Sequence, residues 1–115
     1  MQGQAADKTR LLHILDAIGA LESYNKSSDF KQFKNSSVVH FASIKQLEII
    51  GEAATHISPA TADKYPHIEW RKIIGLRNVL IHEYFGIDVK IVWDIIENDI
   101  PTLKEQIEKI LKDFK

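Results

Sequence analysis

The sequence predicts an all-α fold, a bundle of four main helices with one or two short additional ones. Three observations lead there. Apolar residues recur at three- and four-residue spacing in nearly every segment, the period of a helix with one buried face. Asp, Ser, Pro and Gly stand between those segments at positions that start and stop helices. No pair of alternating segments is joined by a hairpin turn, so a sheet has no local support.

From the N-terminus, Asp7 is a plausible N-cap for a first helix from about Lys8 to Tyr24, whose inward positions are Leu11, Leu12, Ile14, Leu15, Ile18 and Leu21. Asn25 to Asp29 is polar and reads as a turn. Ser28 or Asp29 can cap a short helical piece over Phe30 to Phe33, and Asn35-Ser36-Ser37 is a second break or cap. A long second helix is expected from about Ser37 to His56, with Val39, Phe41, Ile44, Leu47, Ile50 and Ala54 inward. Gly51 lies inside it at a cost of about 1 kcal/mol relative to alanine, which points to a close approach by another helix.

Ser58 and Pro59 suit the first turn of a short helix that Pro66 ends. A third long helix is expected from His67 to about Tyr84. Gly86 is a C′ candidate for stopping it, and Asp88 is the N-cap of the last helix. That helix is expected from Val89 to about Phe114, kinked or split near Pro101. At 115 residues the chain is expected to form one domain, residues 1–115, with a core large enough to need no staples.

Composition narrows the function. There are no cysteines, which excludes disulfides, thiolate metal sites and a cysteine nucleophile, and fits a cytoplasmic location. The polar start MQGQAADKTR lacks the apolar stretch of a signal peptide, and no apolar run approaches the roughly 18 residues of a membrane span. With 15 basic and 16 acidic residues the net charge is −1, which argues against a generic nucleic-acid coat. A local basic site remains open to Lys31, Lys34, Lys45, Arg71, Lys72 and Arg77, and a symmetric dimer would double it.

The most informative stretch is Arg77-Asn78-Val79-Leu80-Ile81-His82-Glu83-Tyr84. Continued as a helix from Trp70, it puts Trp70, Ile73, Ile74, Leu80, Ile81 and Tyr84 on one apolar arc, with Arg77 in its middle. Asn78 and His82 lie four apart beside it. A fixed cation, an amide and a titratable imidazole are the parts needed to hold a phosphate and move a proton. Each has a plainer reading: Arg77 as a bridge between helices through a carboxylate, Glu52 being the best candidate partner; His82 as a partner for a helix C-terminus; Tyr84 as a core aromatic. Metal chemistry is poorly supported, because none of the five histidines stands in a His-Glu-x-x-His or Glu-x-x-His pair. Glu52 and His56 share an i,i+4 face, a weak signal alone. No glycine-rich phosphate loop or nucleophile elbow is present.

Across Ile73 to Phe85, with Arg77, Asn78, His82 and Tyr84 at the matching positions, the sequence resembles the HEPN superfamily. Within it, the chain is similar to the HepT-type toxins of HEPN/MNT (type VII) toxin–antitoxin systems. The likeness extends to Ile49-Ile50-Gly51-Glu52-Ala53 and to Trp93-Asp94-Ile95-Ile96. It implies a HEPN-type four-helix bundle and a metal-independent endoribonuclease without a cofactor. It also implies a homodimer with the two Arg77-to-Tyr84 motifs at the dimer cleft, Arg77 and His82 catalytic, and Asn78 and Glu52 supporting. The implied partner is a minimal nucleotidyltransferase antitoxin that transfers AMP onto Tyr84.

The chemistry is consistent on independent grounds. RNA carries its own nucleophile, the 2′-OH, so cleavage needs a base, an acid and stabilisation of charge at phosphorus. An alternative is a non-catalytic helical module that docks on a nucleotidyltransferase and contacts nucleotide. A second is a structural dimerisation bundle in which Arg77 pairs with Glu52.

Overall fold

The computed structural model describes residues 2–78 and 88–114, and all regular structure among them is helical. The elements are α1 (Gln2–Asn25), α2 (Phe30–Asn35), α3 (Ser37–Thr55), α4 (Pro59–Lys64), α5 (Trp70–Gly75), a 3-10 turn (Leu76–Asn78), α6 (Val89–Asp94), a π-helical turn (Ile95–Asp99) and α7 (Ile100–Asp113). The α1–α3 pair is the backbone of the bundle. α5 and the 3-10 turn lie against α3, and α7 lies against α1. One apolar core joins them, with Leu11, Ile14, Ile18 and Leu21 from α1, Ile44, Leu47 and Ile50 from α3, and Leu103, Ile107 and Ile110 from α7.

The caps are largely where the sequence puts them. Asp29 and Gln32 form a reciprocal capping box on α2. Ser36 caps α3, Ser58 caps α4 with Pro59 in its first turn, and Asp88 caps α6 through the N–H groups of Lys90 and Ile91.

Asp7 is a correction. It does not cap α1, which begins at Gln2, but lies inside the helix with 1% of its surface exposed. Its carboxylate accepts from the Ser58 N–H at 2.9 Å, the Ser58 hydroxyl at 2.6 Å and the Thr61 hydroxyl at 2.5 Å. Ser58 Oγ in turn accepts from the Thr61 N–H. One buried carboxylate therefore ties α1 to the first turn of α4. Burial alone would push the carboxyl up; the hydrogen bonds from Ser58 and Thr61 outweigh it and hold the group below its ordinary value.

Three further expectations change. Leu12 (44%) and Phe41 (51%) are exposed, because the buried arcs of α1 and α3 are narrower than the apolar pattern suggests. The helix expected from His67 starts only at Trp70. Residues 65–69 instead make tight turns, Ile68 N–H to Tyr65 O and Trp70 N–H to Ile68 O, that push Ile68 into the core. That helix ends at Gly75 and tightens into the 3-10 turn. The last helix is interrupted near Pro101, as the sequence predicts, by the π-helical turn between α6 and α7. The Ile100 N–H reaches five residues back to Ile95 O, and this wider turn relieves the clash a proline ring makes with the carbonyl four residues before it.

Candidate functional site

The site is built from the crossing of the 3-10 turn over the last turns of α3. Gly51 makes that crossing possible. A Cβ placed on it would lie 2.4 Å from the Arg77 backbone nitrogen, 3.0 Å from Arg77 Cβ and 3.0 Å from the Ile74 carbonyl oxygen. No side chain fits there, so the close approach read from Gly51 is real, and what it admits is the backbone of Arg77.

From that seat the Arg77 side chain runs along α3 at the surface. The guanidinium is exposed, not buried in an apolar arc, so it carries no burial penalty that a carboxylate must offset. Its Nη1 donates to Thr55 Oγ1 at 3.2 Å, and the Thr55 hydroxyl donates to the Gly51 carbonyl at 3.0 Å. Glu52, the expected partner of Arg77, instead faces His56 Nε2 at 3.6 Å, an ion pair when the imidazole is protonated. Among the described residues no ion pair joins Glu52 to Arg77. Both members of the Glu52–His56 pair are about half exposed, so its contribution to stability is small.

Asn78, half-buried, closes the 3-10 turn one residue beyond Arg77. His82 and Tyr84 lie outside the described residues, as does the Gly86 stop. The structure thus brings together Arg77, Asn78 and the Gly51–His56 end of α3. Thr55 is a site residue that the sequence alone did not reveal. Its spacing of four from Gly51 was the available signal, since it puts both on the face that receives Arg77.

On a neighbouring side of α5, a cavity of about 460 Å³ opens between α5, the π-helical turn and α7. Ile73, Leu76, Ile95, Ile100 and Leu103 line it, and the Lys72–Asp99 pair, 3.6 Å apart, stands with Glu69 and Gln106 among its polar groups. The potential cationic cluster is therefore not uniformly free, because Lys72 has a carboxylate beside it. No described helix is long and apolar enough to cross a membrane.

Comparison with known proteins identifies the family. A "Probable ribonuclease HepT" of Thermococcus cleftensis is 39% identical over 105 residues, 91% of this chain and 96% of its own length. "Putative RNase MJ1380" of Methanocaldococcus jannaschii is 39% identical over 101 residues, 88% of this chain and 93% of its own. A second protein of that organism, "Putative RNase MJ0125", is 38% identical over 108 residues, 94% of this chain and 93% of its own. No solved structure matches the chain. The family model described as "Ribonuclease HepT-like" matches residues 14–110, so the chain belongs to the HepT-like ribonuclease family.

Proposed function

We propose that this protein is the toxin of a type VII (HEPN/MNT) toxin–antitoxin pair, a metal-independent endoribonuclease that acts as a homodimer. The observation that carries the reading is Arg77: its backbone is wedged onto Gly51 and its guanidinium is held at the surface by a neutral hydroxyl, in a chain of ribonuclease family membership. An exposed, oriented guanidinium is suited to bidentate contact with the non-bridging oxygens of a phosphodiester.

In the proposed reaction the RNA 2′-oxygen attacks the adjacent phosphorus. A base takes the 2′ proton, the bond from phosphorus to the 5′ oxygen breaks, and an acid protonates that oxygen. The products are a 2′,3′-cyclic phosphate and a free 5′-OH. His82 of one subunit serves as base and His82 of the other as acid. Arg77 offsets the charge that builds at phosphorus, and Asn78 orients the substrate. Glu52 supports the site by holding His56 beside it.

Control of the enzyme falls to a nucleotidyltransferase partner. The Tyr84 oxygen attacks the α-phosphorus of ATP, pyrophosphate leaves and the phenolic proton passes to solvent. The AMP so attached adds negative charge and bulk to the Arg77-to-Tyr84 motif and opposes phosphate entry.

The decisive experiment incubates the purified protein with total RNA in EDTA beside Arg77→Ala and His82→Ala. Wild type is expected to leave cyclic-phosphate ends while both variants leave RNA intact. Wild type that spares every RNA, with His82→Ala indistinguishable from it, would overturn the reading in favour of a nucleotide-contacting module.

A further inference from the structure

We propose that Thr55 is the positioning residue of Arg77, fixing its guanidinium without lending it a negative charge. The catalytic meaning of this rests on the ribonuclease reading; the positioning itself does not. An arginine on an exposed turn has four rotatable side-chain bonds and, untethered, samples many rotamers. Here both of its anchors lie on a single turn of α3. Gly51 receives the backbone, and Thr55 receives Nη1 at 3.2 Å.

The polarity of the tether is set by a second bond. The Thr55 hydroxyl proton is directed to the Gly51 carbonyl at 3.0 Å, which leaves the oxygen lone pairs to face Arg77. One guanidinium N–H is occupied, and among the described residues no other partner meets the rest of the fork, which can take two phosphate oxygens. The nearest carboxylate along α3, that of Glu52, is turned to His56. An anionic tether would also orient the arginine, but it would cancel the charge that a phosphate needs. A hydroxyl orients and leaves the full positive charge available.

The test compares Thr55→Ser, Thr55→Val and Thr55→Asp in the full-length protein, with melting curves to confirm folding. Thr55→Val keeps the side-chain shape and removes the acceptor, and is expected to lower kcat for RNA cleavage about three- to ten-fold at little-changed KM. Thr55→Ser is expected to restore it. Thr55→Asp is expected to bind a mixed-sequence single-stranded DNA, which lacks the 2′-OH, about ten-fold more weakly, with a salt slope shallower by about 0.7. The Arg77 Nε–H resonance should be sharp in wild type and Thr55→Ser, and shifted and averaged in Thr55→Val. The DNA and resonance measurements decide the positioning role even if wild type cuts no RNA, an outcome that would remove the ribonuclease reading alone. Thr55→Val matching wild type in the resonance, Thr55→Asp matching it in DNA binding, or Thr55→Ser failing to rescue, overturns the proposal.

Discussion

Replacing Gly51 by alanine should both destabilise the bundle and damage the site, and the size of each effect is set by the crossing geometry. In an exposed helix interior the substitution would stabilise by about 1 kcal/mol through propensity. Here the new Cβ meets the Arg77 nitrogen at 2.4 Å, where ordinary contact begins near 3.4 Å, so the two segments must separate by about 1 Å. The obstructing atoms are backbone on both contacts besides Arg77 Cβ, so no side-chain rotation relieves the clash. Forced overpacking costs about 1–3 kcal/mol. Set against the propensity gain, the net loss is about 1 kcal/mol, a fall in Tm of about 5 °C for a chain of this size. The same displacement would carry Arg77 away from the Thr55 hydroxyl, now 3.2 Å distant, and beyond hydrogen-bond range. A misplacement of about 1 Å in a positioning group costs about 10²-fold in rate. Thermal unfolding followed by circular dichroism and RNA cleavage in EDTA are the two assays. A Gly51→Ala protein that melts higher than wild type and retains the hydrogen bond from Arg77 would refute the wedge.

Other perturbations test separate parts. Asp7→Ala strands three donors from Ser58 and Thr61 and should cost about 2–3 kcal/mol in urea unfolding; a loss under about 0.5 would show that the α1–α4 tie is unimportant. The Asp7 carboxyl sits below its ordinary value of 3.8 when folded, so its stabilisation is full above that value and is lost as pH falls through the lower folded one. Asp7→Asn should therefore flatten the loss of stability below about pH 4, and an unchanged acid limb would contradict this. Leu47→Ala should cost about 2–5 kcal/mol while Phe41→Ser costs under about 0.5. Equal losses would mean that α3 is turned differently about its axis. Tyr84→Phe should keep nuclease activity and escape silencing by the nucleotidyltransferase with ATP; a variant still silenced covalently would move the modification to another residue.

The helical class, the α2, α3, α4 and α6 caps and most of the buried faces of α1 and α3 were legible because each depends on residues close in sequence. Asp7 was misread because a carboxylate before an apolar run is the ordinary sign of an N-cap, and its real partners, Ser58 and Thr61, are more than fifty residues away. Phe41 was placed inside for a similar reason. Periodicity gives the width of an apolar arc, while the neighbouring helices decide how much of it is covered. At the site, Arg77 and Asn78 were legible as a local motif, and Gly51 as a point of close approach. The identity of what approaches Gly51 was not, since only the tertiary crossing joins positions 51 and 77.

That crossing also explains why Arg77 need not be a buried bridge between helices. A helix continuing regularly from Trp70 would have carried Arg77 on the arc that meets the core, and a buried guanidinium would then have required Glu52. Tightening after Gly75 changes the angular step per residue and brings the Arg77 backbone, in place of its side chain, against α3. The side chain is thereby released along the surface to Thr55, and Glu52 is left to His56. A double charge swap, Glu52→Arg with Arg77→Glu, separates the two arrangements. A bridging pair would recover most of the stability lost in either single variant. The observed arrangement predicts instead two small, additive losses in urea unfolding, within about 0.5 kcal/mol of their sum, and no recovery of RNA cleavage. A coupling of about 2 kcal/mol or more would place the guanidinium back on Glu52 and remove the hydroxyl-tethered arginine from the mechanism.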